Sequence, residues 1–109
     1  MNKKYRIKKS EEFSKIIRYK HFVSSASFNV YYSSKAGENA RVGISASKKI
    51  GDEVTRNRVK RQIREMARAL IDFENYDKDL VIIVKKAFLD NDYQTNKNSL
   101  EKALKKAII

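Results

Sequence analysis

The sequence predicts an α+β fold, a small α/β sandwich of three helices on a sheet of about four strands, and three observations carry that expectation. Residues 27–34 (SFNVYYSS) and 40–47 (ARVGISAS) alternate with period two and are rich in Val, Ile, Phe and Tyr. Within residues 52–71, Val59, Ile63, Met66 and Leu70 recur at the spacing that puts them on one stripe of a helix. Residues 79–85 (DLVIIVK) form a continuous apolar run bounded by charges, the pattern of a central strand buried on both faces.

Taken in order, a basic arm runs to Lys9. Ser10 reads as an N-cap, with Glu11 and Glu12 in the first turn, where negative charge suits the helix dipole. Phe13, Ile16 and Ile17 make the apolar stripe of a short helix that ends near Lys20. HFVSS (21–25) reads as a short strand. The two alternating segments, joined by the turn-forming KAGEN, predict an antiparallel hairpin. A central helix follows from Asp52 or Thr55 to about Ile71, then the strand over 79–85. Tyr93, Leu100, Leu104 and Ile108 then fall on one face of a closing helix. No proline, repeat or linker divides the chain, which predicts one domain over residues 1–109.

Composition narrows the function. Without cysteine, neither a disulfide framework nor a thiolate metal site is possible. The apolar run Leu80 to Val84 is too short to span a bilayer, and the N-terminal residues lack the apolar core of a secretory signal, so a soluble cytoplasmic protein is expected. The net charge is +12, and residues 1–20 and 41–68 contribute +6 each while the remaining segments sum to zero. Charge needed only for solubility would be scattered. Concentrated charge sets up a local positive potential for a polyanion.

The second basic segment includes the central helix, where Arg56, Arg58, Lys60, Arg61, Arg64 and Arg68 occupy every direction except the buried one. Like charges at i,i+4, such as Lys60 with Arg64, repel by a few tenths of a kcal/mol each, and an external polyanion relieves that repulsion. Arginine's planar fork suits phosphate contact and base stacking. Aromatic residues accompany the charge: Tyr5, Phe13, Tyr31 and Tyr32. Strand alternation turns Tyr31 away from Phe28, Val30 and Tyr32, so one set packs in a core and the other can offer a stacking platform.

Protein-borne catalysis is poorly served. His21 is the single histidine, and a lone histidine between helix and strand reads as structural. Asp77 with Asp79, and Asp90 with Asp92, sit at element boundaries, where capping and solvation account for them better than metal ligation does. No glycine-rich phosphate loop is present. The residues alone therefore read as an RNA- or DNA-binding domain without its own active site.

At SASKKIGDEVTRNRVKRQIRE (45–65) the sequence closely resembles the protein subunit of bacterial ribonuclease P, whose hallmark is an arginine-asparagine-arginine element, here Arg56-Asn57-Arg58. YRIKKSEEF, FNVYY, RVGISASKKIG, DLVIIVKK and NSLEKALKK have counterparts in the same order. The resemblance implies a ribonucleoprotein endonuclease that removes the 5′ leader from precursor tRNA, with magnesium-dependent catalysis in a large RNA. The protein would bind that RNA and the leader, raise substrate affinity, lower the magnesium requirement, and be inactive and monomeric when alone. It also implies a mixed sheet with a left-handed βαβ crossover, an exception to the usual right-handed preference.

Carried over by position, the resemblance implies that Phe13, Ile17, Tyr31, Arg56, Asn57 and Lys60 line the leader cleft. Lys48, Lys49, Arg58, Arg61, Arg64 and Arg68 would then face the catalytic RNA, and no metal site is implied in the protein. Two positions depart from the family pattern. Ile17 stands where relatives often carry a second cleft aromatic, and Asp52 replaces a common asparagine. A ribosomal-type or other structural RNA-binding protein is the alternative reading; a protein-only nuclease is disfavoured by the scarcity of acids and bases within the basic segments.

Overall fold

The computed structural model describes residues 1–108. Helices α1 (Ser10–Arg18), α2 (Glu53–Leu70) and α3 (Tyr93–Ala107) pack on strands β1 (Phe22–Ser24), β2 (Phe28–Ser34), β3 (Val42–Ser45) and β4 (Lys78–Val84). The strands form one mixed sheet in the order β1-β2-β4-β3. Short 3₁₀ turns at Lys3–Tyr5, Lys48–Ile50 and Lys86–Asp90 complete the chain.

The expected hairpin between the two alternating segments does not form. β4 lies between β2 and β3, antiparallel to the first and parallel to the second. Burial explains the insertion: Leu80, Val81 and Ile82 are wholly inaccessible, so β4 needs a neighbour along each edge and a layer on each face. Residues 35–41 are long enough to step across it. The hairpin that does form is β1 with β2, closed over Ser25 to Ser27. β3, α2 and β4 make a βαβ unit of adjacent parallel strands.

Two clusters of apolar side chains line opposite faces of the sheet. Phe28, Val30, Val42, Leu80 and Ile82 meet Val59, Ile63 and Met66 of α2 and Leu100 and Leu104 of α3 in the larger one. The smaller joins Ile7, Ile16 and Val81 with half-buried Phe13, Ile17, Tyr31 and Ile83. Tyr31 thus lies on the face away from Phe28, Val30 and Tyr32, as alternation requires.

Three local expectations are corrected. Ser10 is the first helical residue rather than the cap: Lys9 is extended, and its carbonyl already accepts from the Glu12 and Phe13 amides, so the helix starts one residue early without a side-chain cap. On α3 the buried stripe is Asn96, Leu100, Ala103, Leu104 and Ala107, while Tyr93 and Ile108 are exposed. Small Ala103 and Ala107 bring the middle and end of the helix close, and Tyr93 sits in a first turn beyond the packed region. Asp79 is not solvated. It is 2 % exposed and accepts hydrogen bonds from the Ala36 and Arg41 amides at 3.2 and 3.1 Å and from Arg41 Nη2 at 3.0 Å.

Asp52 caps α2 by accepting from the Thr55 amide at 2.8 Å, and Asp92 caps α3 through Thr95 at 2.8 Å. Each carboxyl is held below the ordinary aspartate value by its hydrogen bonds to the threonine.

Candidate nucleic-acid interface

Strand register decides which side chains share the α1 face of the sheet. One cross-strand row runs Phe22, Tyr31, Val81, Gly43, and the next runs Ser24, Asn29, Ile83, Ser45. The rings of Phe22 and Tyr31 lie 5.0 Å apart. α1 packs over β2 and β4, which brings Phe13 and Ile17 into the cluster with Tyr31.

Phe13 is seated on Gly43. A Cβ placed there would meet three carbons of the Phe13 ring at 2.5, 2.9 and 3.0 Å, so the ring occupies space that any other residue would fill. The helix is held at the same point by charge. Arg41 Nη2 lies 2.6 Å from Glu12 Oε2 and 3.0 Å from Asp79 Oδ2, and its hydrogen bond holds the Glu12 carboxyl below the ordinary range. Glu12 and Phe13 are adjacent, so the ion pair fixes the turn that carries the ring.

β3 is an edge strand, bridged by the N-terminal arm only where Arg6 pairs with Val42 and the Ile7 amide donates to the Val42 carbonyl at 3.0 Å. Beyond that bridge a groove of about 220 Å³ opens, with Gly43 and Ile44 on one wall and Asn57, Lys60 and Arg64 of α2 on the other. Gly43 therefore belongs both to the apolar face under α1 and to the cationic groove beside α2. Burial and the nearby charges of Arg6 and Arg61 push the Arg64 guanidinium below its ordinary value, which marks crowding of positive charge that an anion would relieve.

The sequence-derived residues fall as follows. Phe13, Ile17 and Tyr31 share the apolar face, and Asn57 and Lys60 share the groove. Arg56 is half-buried on the same edge of α2, with its Nε buried and without a hydrogen-bond partner among the described residues. Arg64 lines the groove with Asn57 and Lys60 and also joins Arg61 and Arg68 in a shallow depression beside Met1 and Glu65. Arg58 stands apart, on the opposite edge of α2 with Gln62, Leu89 and Tyr93. Lys48 and Lys49 are exposed on the turn before α2.

Sequence reasoning missed Arg6 and Gly43. Arg6 was legible only as part of a basic arm, because its place in the groove depends on the arm's bridge to β3. Among the described residues no group of three or more His, Cys, Asp or Glu side chains is placed to hold a metal ion, and no helix is long and apolar enough to cross a membrane.

Comparison with known proteins identifies the family and the fold. The family model described as Ribonuclease P matches residues 1–108. A ribonuclease P protein component of Halalkalibacterium halodurans is 43% identical over 110 residues, covering 100% of this chain and 92% of that protein. One of Listeria welshimeri is 42% identical over 106 residues, covering 96% and 89%. Among solved structures, a Staphylococcus aureus RNase P protein mutant with defective mRNA degradation activity superposes with a TM-score of 0.84 at 38% identity, covering 96% of this chain and 89% of that one. The RNase P protein from Thermotoga maritima gives 0.78 at 26% identity, with 93% and 96% covered.

Proposed function

Because the chain belongs to the ribonuclease P protein family and is thus a component of an endoribonuclease with an RNA partner, we propose how its surface serves that enzyme. It is the accessory subunit that helps remove the 5′ leader from precursor tRNA, and the RNA carries the catalytic centre. The observation that carries this reading is the meeting of an apolar face and a cationic groove across Gly43. Phe13, Ile17 and Tyr31 take unpaired leader bases, while Arg56, Asn57 and Lys60 hold the leader backbone. Arg61, Arg64 and Arg68, with Lys48, Lys49 and Arg58, face the catalytic RNA.

Magnesium belongs to the RNA active site on this reading. Fixed guanidinium and ammonium groups placed where phosphates crowd reduce the number of ions that must gather there, which lowers the magnesium requirement. The protein alone does not cleave. Supporting that statement, Glu65 is the one acid among the residues that line the two cationic depressions of α2, and no histidine lies there. The free subunit is a monomer that works in the bacterial cytoplasm.

The test is 5′-end cleavage of a precursor tRNA at low magnesium by the catalytic RNA alone, the protein alone, and the two combined. Activity confined to the mixture, and lowered by charge-removing changes at Arg58, Arg61 and Arg64, supports the proposal. With roughly five to eight phosphates neutralised, log affinity for RNA should fall against log salt with a slope of about −4 to −6. Affinity insensitive to salt would refute the mechanism.

A further inference from the structure

Leu89 and Tyr93 carry apolar surface that neither the core nor the leader cleft accounts for. They are 39 % and 37 % exposed, yet the segment that bears them is firmly held from below. Phe88 is buried, with its ring 6.4 Å from that of Phe28. Asn96, also buried, donates to the Phe88 carbonyl at 3.1 Å and accepts from Ser27 Oγ. Asn91 Nδ2 donates to the Ala87 carbonyl at 3.1 Å and to Ser27 Oγ at 3.3 Å. A satisfied polar network of this kind fixes its members in one arrangement. Residues 86–93 therefore form a rigid ledge whose outward side is apolar and aromatic.

Across from the ledge stands the edge of α2 that carries Arg58 and Gln62. The two walls enclose a recess of about 370 Å³, floored by the buried Val59 and Phe88. Asp92 lines it too. Ion pairs among the described residues join Lys4 to Glu74 and Arg41 to Glu12 and Asp79, so Arg58 and Asp92 share the recess without pairing. A ligand that fits has a flat face for Tyr93 and Leu89, an anion for Arg58 and a hydrogen-bonding edge for Gln62 and Asp92. A nucleotide has all three. Inorganic phosphate would meet only Arg58 and be repelled by Asp92, and an apolar peptide side chain would desolvate both charges without pairing either. Arg58 continues the cationic run of α2, and the recess opens on the α3 side of that helix, away from Gly43 and the leader groove. That position favours the catalytic RNA over the leader as the source of the nucleotide.

We infer that the recess between Arg58 and Tyr93 receives an unpaired nucleotide of the catalytic RNA, its base lying against Tyr93 and Leu89 and its phosphate on Arg58. This rests on the accessory-subunit proposal above and adds to it an anchoring point on the far edge of α2, built partly from residues outside the two basic segments. Cations alone hold RNA wherever phosphates lie, whereas a recess for one unstacked base fixes α2 against one place in the RNA.

The experiment measures binding of the catalytic RNA, without precursor tRNA, to the wild-type protein, Tyr93→Ala, Tyr93→Phe, Leu89→Ser and Arg58→Gln over a range of salt, with chemical probing of the RNA bases that each protein shields. Tyr93 and Leu89 lie outside the core, so their variants should keep the wild-type melting temperature. Tyr93→Ala is expected to bind about fivefold to 150-fold more weakly with an unchanged salt slope, because it loses stacking and no phosphate contact. Arg58→Gln should instead reduce the slope by about 1. One unpaired base shielded by the wild type and by Tyr93→Phe should become reactive with Tyr93→Ala, and Leu89→Ser, altered on a separate element, should weaken binding in the same direction. Affinity and shielding unchanged in Tyr93→Ala overturn the inference, as does a loss that Tyr93→Phe fails to restore. If Tyr93→Ala kept its affinity for the catalytic RNA but lost the preference for precursor over mature tRNA, the nucleotide would belong to the leader and the inference would fall equally. Wild-type protein that binds the catalytic RNA no tighter than mature tRNA would instead sink the accessory-subunit proposal itself.

Discussion

Replacing Gly43 by alanine tests whether the seat beneath Phe13 organises the interface. The new Cβ would lie 2.5 Å from the nearest ring carbon. Carbon atoms pack best at about 3.5–4.0 Å, so ring and strand must separate by at least about 1 Å. β3 is tied to β4 along its whole length, and the turn carrying Phe13 is held by Glu12 on Arg41, so the ring swings off its seat while the backbone stays. Overpacking of this kind costs about 1–3 kcal/mol. For a chain of this size each kcal/mol lowers the melting temperature by about 4 °C or more. Base stacking on an aromatic contributes about 1–3 kcal/mol, so leader affinity should fall between about fivefold and 150-fold if the ring no longer meets a base. Thermal unfolding measures the first effect, and binding of precursor against mature tRNA by the reconstituted holoenzyme measures the second. Phe13→Ala should abolish the sensitivity, so that the double variant behaves as Phe13→Ala alone. A Gly43→Ala protein with unchanged melting temperature and unchanged preference for precursor would refute the reasoning.

Three further outcomes are expected. Tyr76 Oη donates to the Leu104 carbonyl at 2.8 Å, and burial pushes its hydroxyl up to about 12, above the ordinary 10.0. A raised value makes its contribution complete below pH 10 and lost as pH climbs toward 12, so alkaline unfolding followed by circular dichroism should steepen there in the wild type and less in Tyr76→Phe, which should also lose about 1 kcal/mol at neutral pH. Lys20 holds a left-handed conformation, φ 58°, just past the end of α1, where glycine is favoured; Lys20→Gly should stabilise the protein by about 0.5–1 kcal/mol in urea titration, and a loss of stability would contradict this. Asp52→Asn keeps an α2 cap but removes a negative charge beside the cationic helix, so RNA binding should tighten at low salt and the gain should shrink as salt rises; equal affinity at every salt concentration would show that Asp52 lies outside the field of the bound RNA.

Periodicity exposed the α2 stripe, the double burial of β4 and the outward turn of Tyr31, because each depends only on which direction a side chain must point. It could not reveal strand neighbours. Alternation in β2 and β3 is satisfied equally whether they touch or are parted by β4, and the decision rests with Leu80, Val81 and Ile82, far along the chain. The same limit hid the burial of Asp79, whose partner Arg41 is 38 residues away. Within the interface, helical direction put Lys60 on one edge of the apolar stripe, whereas Asn57 followed only from the family resemblance. Gly43 gave no local signal, since it matters for the atoms it lacks.

The insertion of β4 between β2 and β3 also dictates how the chain can be built. β2 and β3 leave the ribosome before the strand that joins them exists, and Asn29 pairs with Ile83 across more than fifty intervening residues. Closing so long a loop costs entropy before any contact repays it, so assembly is governed by distant pairings and should be slower than in a helical protein of equal length. Until residues 78–84 emerge, both strands carry bare edges and an apolar face, the condition in which nascent chains aggregate. The groove and the apolar platform depend on that same late strand, and a truncated product would carry the basic helix without the surface that uses it.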